Sequence, residues 1–166
     1  VAGLLGMRPD DERIPDSFEI ARKMGLSYSF GIANLTSAHP NSVVLEVKGK
    51  SGRTLEVQAC SLGGGRIMIN RLDGLDVNCS CEIPTLIVHN LDQPGHVAEV
   101  TSMLAHKSVN IANMSLYRDK RGGSAVMVVE MDQPLPKESL EWLEHLEGIV
   151  KVTYINVTEG EEDDVL

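Results

Sequence analysis

The pattern of apolar and polar positions predicts a different order of helices and strands in each half of the chain. In the first half, Ile14, Phe18, Ala21 and Met24 recur every three to four residues, which predicts a helix over 16–24 with one face packed inward. Strand-like alternation then follows in four segments, 26–30, 42–47, 54–59 and 66–69. One helix followed by a meander of strands predicts an α+β first half.

The second half has the order strand–helix–strand–strand–helix–strand. Its predicted strands are 85–90, 110–117, 124–131 and 150–157, and its predicted helices are 96–107 and 137–146. This order is typical of the split βαβ, ferredoxin-like arrangement. Turn-forming residues over 73–78 indicate a break between the halves. We therefore predict domains at 1–74 and 83–158, joined by a linker at 75–82.

Charge and composition exclude several functional classes. The 166 residues carry a net charge of −9, and no basic stripe of the kind that binds nucleic acid is present. No apolar run approaches the roughly 20 residues of a membrane span, and the start lacks the features of a signal peptide. We expect a cytoplasmic protein that binds neither nucleic acid nor membrane, with a disordered acidic tail over 159–166.

The start of the chain has the pattern of an internal segment. It begins with Val rather than Met, and residues 1–6 resemble the end of a buried strand that runs into a turn. We expect a truncated or processed start.

The loop between the first strand and first helix of the second half is the best candidate site. A helix amino terminus offers unpaired N–H groups and a positive dipole end, which suit a carboxylate, and a glycine there allows close approach of a ligand. Nearby side chains offer acceptors for an ammonium group. An asparagine opens the next strand, which is expected to lie beside the first strand in the sheet, so this asparagine is expected to reach the same ligand. The candidate residues are Asn90, Asp92, Pro94, Gly95, His96 and Asn110. A well-capped turn without a ligand is the alternative.

Two segments of this half, 86–97 and 104–114, resemble those of an ACT domain. The resemblance includes the spacing from Pro94-Gly95 to the Val109-Asn110-Ile111 strand start. It implies side-by-side pairing of two copies and binding of an amino acid where they meet. It also implies that Asn90 and Asp92 hold the amino group of the ligand, with L-serine as a candidate, and that Asn110 belongs to the same site.

The first half resembles the allosteric-substrate-binding (ASB) domain of iron–sulfur L-serine dehydratases. The resemblance rests on Leu4-Leu5-Gly6, on 10–14, on His39-Pro40-Asn41 and on 60–67 with its three glycines. An ASB segment followed by an ACT domain is similar to the beta subunit of the two-subunit form. The resemblance implies that L-serine is converted to pyruvate and ammonia, with a four-iron, four-sulfur cluster in a catalytic alpha subunit and no cofactor in this chain.

The family's opening Ser-Ser-Ser-His-Thr segment has no match here, so the ASB part is expected to be partial. His39 is then the one residue that we nominate for the catalytic face. Before any resemblance is considered, it is as readily a structural histidine that precedes a proline. The glycines at 63–65 are consistent with a bulge, a tight bend or an anion-binding nest.

The three cysteines, Cys60, Cys79 and Cys81, give a poor metal-site pattern. A one-residue spacer does not suit structural zinc, and an odd number argues against a disulfide framework. We expect free thiols and no metal.

Two functional hypotheses follow. In the first, the chain is a regulatory subunit or fragment of an iron–sulfur L-serine dehydratase and is itself not catalytic. In the second, it is a free-standing amino-acid-binding ACT dimer that regulates a different enzyme.

Overall fold

The computed structural model describes residues 1–36 and 38–156. The chain divides into two compact units, Val1–Thr36 and Ser37–Leu166. The predicted domain boundary at 74 lies inside the second unit, so the strand meander and the ferredoxin-like part belong to one compact body. The predicted tail over 159–166 lies outside the described residues. None of the described helices combines the length and the apolarity that crossing a bilayer requires.

The first unit contains two 3-10 helices, Ala2–Leu5 and Ile14–Asp16, and helix α1, Ser17–Lys23. The predicted helix is confirmed, but its apolar stripe is not packed inward as predicted. Ala21 is fully buried, whereas Phe18 and Met24 are 47% and 64% exposed.

The strand predicted at 26–30 is wrong, because these residues pair with no strand among those described. Tyr28 and Phe30 are two residues apart and both contact Phe18, with ring centroids at 5.4 and 6.0 Å. The period-two alternation at this position therefore reflects an aromatic cluster within the unit.

The second unit begins with a four-stranded antiparallel meander. Its strands are β1 (Ser42–Lys48), β2 (Thr54–Gly63), β3 (Arg66–Leu72) and β4 (Leu75–Cys79), in the order β1-β2-β3-β4. The glycine run makes a tight bend together with an irregularity in the pairing. Gly64 and Gly65 have φ of 62° and 79° in the turn between β2 and β3. The register of β2 against β3 shifts between Ser61 and Gly63, as at a bulge.

Strand β4 occupies part of the segment that was predicted to be a linker. Asp73 and Gly74 both have positive φ, 46° and 83°. This is the backbone that a two-residue hairpin turn requires, and Asp-Gly is among its preferred sequences. The turn residues therefore reverse the chain onto β3.

The ferredoxin-like part is as predicted. Its elements are β5 (Thr85–Leu91), α2 (His96–His106), β6 (Ile111–Arg118), β7 (Ser124–Met131), α3 (Lys137–Glu144) and β8 (Ile149–Ile155), with strand order β6-β7-β5-β8. Each hydrogen-bonded pair of strands is antiparallel. The fold class is α+β.

The sheet of this part is covered on both faces. Leu86 and Val88 of β5 lie in a cluster with buried residues of α2 and α3. Ile87, on the opposite face, lies in a second cluster with residues of β3 and β4, among them Ile69 and Val77. Because both faces are buried, β5 has an uninterrupted apolar run from Leu86 to Val88 and shows no alternation of burial.

Candidate functional site

The loop from β5 to α2 leaves the amino terminus of the helix open. Gly95 is the N-cap with φ of 112°, and within the described chain no side chain caps the helix. A Cβ added to Gly95 would meet no atom within 4 Å, so there is open space beside the loop. The uncapped N–H groups of the first turn and the positive end of the dipole therefore face a space that can take an anion.

Asn90 contributes a buried polar atom at the same end of the sheet. Its side chain lies on the helix face of β5, since it alternates with Leu86 and Val88. The residue is 4% exposed. Nδ2 donates to the carbonyl of Leu91 at 2.6 Å, while Oδ1 is buried with no hydrogen-bond partner among the described residues. An unpaired buried acceptor lowers the stability of the fold by roughly 1–3 kcal/mol. A hydrogen-bond donor on a ligand would remove this cost.

His96 contributes a second buried polar atom. The residue is 7% exposed, and its Nδ1 lies 3.1 Å from Glu99 Oε2, whereas Nε2 has no partner among the described residues. The ring lies against Gly148, where an added Cβ would approach Nε2 to 2.6 Å. Asn90 pairs with Ile149, the residue after Gly148, so both unpaired atoms lie at the junction of β5, α2 and β8.

Asp92 is engaged within the fold. Its Oδ2 accepts hydrogen bonds from the amide of Gly122 at 2.9 Å and from Arg118 Nη1 at 3.0 Å. The Gly122 amide, followed by Arg118, holds the pKa of Asp92 below its ordinary value. These contacts join the β5–α2 loop to the β6–β7 hairpin. Contact of Asp92 with a ligand stays a prediction.

Asn110 lies at the other end of the sheet within one copy of the chain. The expectation that its strand neighbours β5 is wrong, because β7 lies between β5 and β6. Asn110 precedes Ile111, which pairs with Met131, whereas Asn90 pairs with Ala125 at the opposite end of β7. Asn110 Nδ2 donates to Asp132 Oδ2 at 2.6 Å. In a single copy it cannot meet the ligand of Asn90.

His39 has a local structural role in the turn before β1. Its Nδ1 accepts from the amide of Asn41 at 3.2 Å, and its carbonyl accepts from Ser42 Oγ at 2.6 Å. A function on a catalytic face remains a prediction. In the part of the chain that the structure describes, no three residues of the types His, Cys, Asp and Glu come together as a metal site.

A charged cluster that the sequence did not reveal joins the meander to the ferredoxin-like sheet. Asp73 Oδ2 accepts from Lys151 Nζ at 2.5 Å and lies 3.6 Å from His89 Nε2. Arg53 Nη2 donates to the carbonyl of Val152 at 2.7 Å. Burial is the largest influence on the pKa of His89 and lowers it. Burial also acts to raise the pKa of Asp73, but the hydrogen bonds from Lys151 and the Glu56 amide outweigh it and lower the pKa.

Comparison with known proteins first defines a class: the ACT domain family matches residues 84–147. The "Probable L-serine dehydratase, beta chain" of Bacillus subtilis (strain 168) is 33% identical over 155 residues, which cover 93% of this chain and 70% of that protein. The "L-serine dehydratase, beta chain" of Peptoniphilus asaccharolyticus is 32% identical over 158 residues, 95% of this chain and 71% of that protein.

The chain therefore belongs to the L-serine dehydratase beta chain family. A third relative matches a shorter part of the chain. The D-3-phosphoglycerate dehydrogenase of Methanocaldococcus jannaschii is 31% identical over 90 residues, 54% of this chain and 17% of that enzyme.

Proposed function

We propose that this chain is the regulatory part of an L-serine dehydratase and that it binds an amino acid, with L-serine as the first candidate, at the amino terminus of α2. The observation that carries the proposal is the pair of buried, unpartnered atoms, Asn90 Oδ1 and His96 Nε2, beside an uncapped helix terminus.

The site is complementary to a zwitterion. The N–H groups of the first turn of α2 suit a carboxylate. Glu99 lies at His96 Nδ1, so in a neutral imidazole the proton is on Nδ1 and Nε2 is an acceptor. Asn90 Oδ1 is also an acceptor. The ammonium group supplies the N–H donors that both atoms lack.

A second copy would bring Asn110 to this site. Strand β6 is an edge strand of the sheet, and Leu116 on it is 51% exposed. Two-fold pairing of the β6 edges runs them antiparallel, so that Asn110 of one copy lies near Arg118 of the other. Arg118 contacts Asp92 in the candidate site. In a homodimer, Asn110 of one copy would therefore lie beside the candidate site of the other copy.

Regulation is proposed to act through binding linkage with a catalytic alpha subunit. Ligand binding at α2 would favour one arrangement of the ferredoxin-like sheet. The contacts of the cluster around Asp73 would couple this arrangement to the position of the meander. Such coupling is typically about 1–3 kcal/mol and acts equally in both directions.

The four-iron, four-sulfur cluster is proposed for the alpha subunit. The described residues of this chain do not fit it, because its cysteines are not gathered with further ligands into a group of three or more. We expect no ammonia release when the purified chain alone is mixed with L-serine.

The decisive test is Asn90→Leu, which replaces the unpaired Oδ1 and the Nδ2 donor by an apolar side chain of similar size. The Leu91 carbonyl keeps its hydrogen bond from the Gln93 amide at 2.8 Å. The variant should keep or raise the melting temperature without ligand, and it should lose the rise that L-serine produces in the native chain. Isothermal titration calorimetry with L-serine, with D-serine as the ligand control, measures the affinity directly.

Asn78→Leu is the matched control, since Asn78 is an exposed residue of meander strand β4 and belongs neither to β6 nor to the candidate site. Its L-serine affinity should stay within about twofold of the native value, a difference of ~0.4 kcal/mol. Unchanged L-serine affinity in a folded Asn90→Leu variant would rule out the site. A thermal-shift screen of the twenty amino acids identifies the effector if it is not L-serine.

A further inference from the structure

Two cysteines face each other where the meander passes into the ferredoxin-like sheet. Cys79 is the last residue of β4, and Cys81 follows two residues later, before β5. Their Sγ atoms are 3.0 Å apart, about 1 Å beyond a disulfide bond length of ~2.05 Å. Both residues are buried, at 2% and 7% exposed.

The backbone permits these sulfurs to bond. One residue separates Cys79 from Cys81, and their side chains converge where the chain leaves β4, so that the Sγ atoms lie 3.0 Å apart. Cys81 itself has φ of 55°. Ser80 lies between the two cysteines, and its Oγ donates to Glu130 Oε1 at 3.4 Å. The intervening side chain therefore has a separate partner.

The contact makes the two thiols chemically unequal. The hydrogen bond from Cys81 is the largest influence on the pKa of Cys79 and lowers it. The same contact, followed by burial, raises the pKa of Cys81. The thiolate is the nucleophilic form of cysteine. The lowered pKa favours Cys79 as the attacking sulfur, with Cys81, at 3.0 Å, as the sulfur that resolves the product.

We propose that Cys79 and Cys81 form a hydroperoxide-reactive dithiol that closes into an intrachain disulfide. Cys79 thiolate attacks one oxygen of hydrogen peroxide, the O–O bond breaks, and Cys79 becomes a sulfenic acid. The hydroxide that leaves takes up the proton that the Cys79 thiol had released and becomes water. Cys81 sulfur then attacks Cys79 sulfur, the S–O bond breaks, and the departing hydroxide takes the thiol proton. Two thiols are oxidised, and one peroxide is reduced to two molecules of water.

Burial favours a small oxidant. A sulfur on a residue that is only 2% exposed is poorly placed for in-line attack on a bulky disulfide, whereas hydrogen peroxide is close to water in size. A disulfide here would join the end of β4 to the segment that leads into β5. It would fix the backbone of the connection between these two strands.

The alternative is that the pair is ordinary apolar packing. Cys60 provides the comparison, because it is also buried, at 4% exposed, and makes no hydrogen bond to either sulfur of the pair in the described structure. Under that alternative all three thiols should respond alike to peroxide.

The test exposes the full native chain to hydrogen peroxide, blocks remaining thiols with an alkylating agent after denaturation, and maps the peptides by mass spectrometry. We expect one peptide with Cys79 and Cys81 unalkylated and a mass lower by two hydrogen atoms, restored by dithiothreitol. Cys60 should be alkylated. Recovery of both Cys79 and Cys81 as alkylated thiols overturns the proposal, as does oxidation of all three cysteines at the same rate.

Variants separate the two roles. Cys81→Ser should accumulate a sulfenic acid on Cys79, trapped by dimedone, because no resolving thiol remains. Cys60→Ser is the matched control and should form the disulfide at the native rate. If Cys81→Ser does not fold, the peptide map of the native chain still decides the question. Dimedone labelling of Cys81 in place of Cys79 in the native chain would contradict the assignment of the nucleophile.

Discussion

At the scale of single residues, Gly148 and His96 are packed against each other where three elements meet. Gly148 has φ of 81°, and a Cβ would lie 2.6 Å from His96 Nε2 and 2.7 Å from Cε1. The absence of a side chain at 148 therefore gives the imidazole its position. The backbone conformation and the space both require glycine here.

We predict that Gly148→Ala lowers the free energy of unfolding by about 2–5 kcal/mol, from left-handed backbone strain together with overpacking. Gly122→Ala is the control, because Gly122 has φ of 72° and open space around it, so only the strain of about 1–2 kcal/mol applies. Urea unfolding of both variants measures the difference. Equal losses of stability in the two variants would show that the His96 ring moves aside without an energetic cost.

His89 gives the chain a pH dependence with a definite sign. Burial favours the neutral imidazole and lowers the pKa of His89, and the charges of Lys151 and Arg53 act in the same direction against that of Asp73. An unfolded histidine titrates near ~6.5. Below this pH the unfolded chain binds a proton that the folded chain does not, so the free energy of unfolding falls as the pH decreases.

The native chain should lose stability as the pH falls from roughly 6.5 toward the lowered pKa of His89 in the folded state. We predict that His89→Gln makes this loss smaller. His106→Gln serves as the control, since His106 is exposed at the end of α2 and bonds the carbonyl of Ser102. Denaturant unfolding at a series of pH values provides the comparison. A slope in His89→Gln equal to the native slope would contradict this account.

The candidate site was only partly accessible to sequence reasoning. Asn90, Gly95 and His96 could be nominated because a strand, a glycine turn and a helix start follow one another in the chain. Their unpaired atoms depend on Gly148, which is distant in sequence. The cluster around Asp73 was missed for the same reason, since its members come from separate strands.

At the scale of elements, turn chemistry decided which predictions held. The helices and strands of the ferredoxin-like part were predicted to within a few residues, because each has a clear period. Strand β4 was missed because Asp73-Gly74 was interpreted as a linker, although the same dipeptide is a hairpin signal. The segment 26–30 was assigned to a strand because a local aromatic cluster has the same period as a strand.

Asp92 connects two elements, and its loss should loosen both. We predict that Asp92→Ala accelerates amide hydrogen exchange at Gly122 and along the β6–β7 turn, because Oδ2 no longer accepts from the Gly122 amide. We expect a stability loss of about 1–2 kcal/mol. Asp132→Ala is the comparison at the other end of the sheet, and it should leave exchange in this turn unchanged.

At the scale of the whole molecule, the meander and the ferredoxin-like sheet share one apolar layer. Ile87 is 1% exposed and lies in that layer with Leu72 and Val77. Neither sheet can lose this layer without exposing the other. We therefore expect residues 38–156 to unfold as one cooperative unit.

We predict that Ile87→Ala lowers the stability of this unit by about 2–5 kcal/mol in a single transition. Val97→Ala is the control, since Val97 is 41% exposed, and it should cost much less. Urea unfolding followed by circular dichroism and by Trp142 fluorescence should give coincident curves. Separate midpoints for the two probes would show that the layers are independent.

The chain's own meander lies against the side of the β6-β7-β5-β8 sheet that faces away from α2 and α3. That side is consequently closed to back-to-back stacking of one subunit on another. An oligomer of this chain would therefore use other surfaces, which are the outermost strands, the helical layer or the exposed residues of the meander.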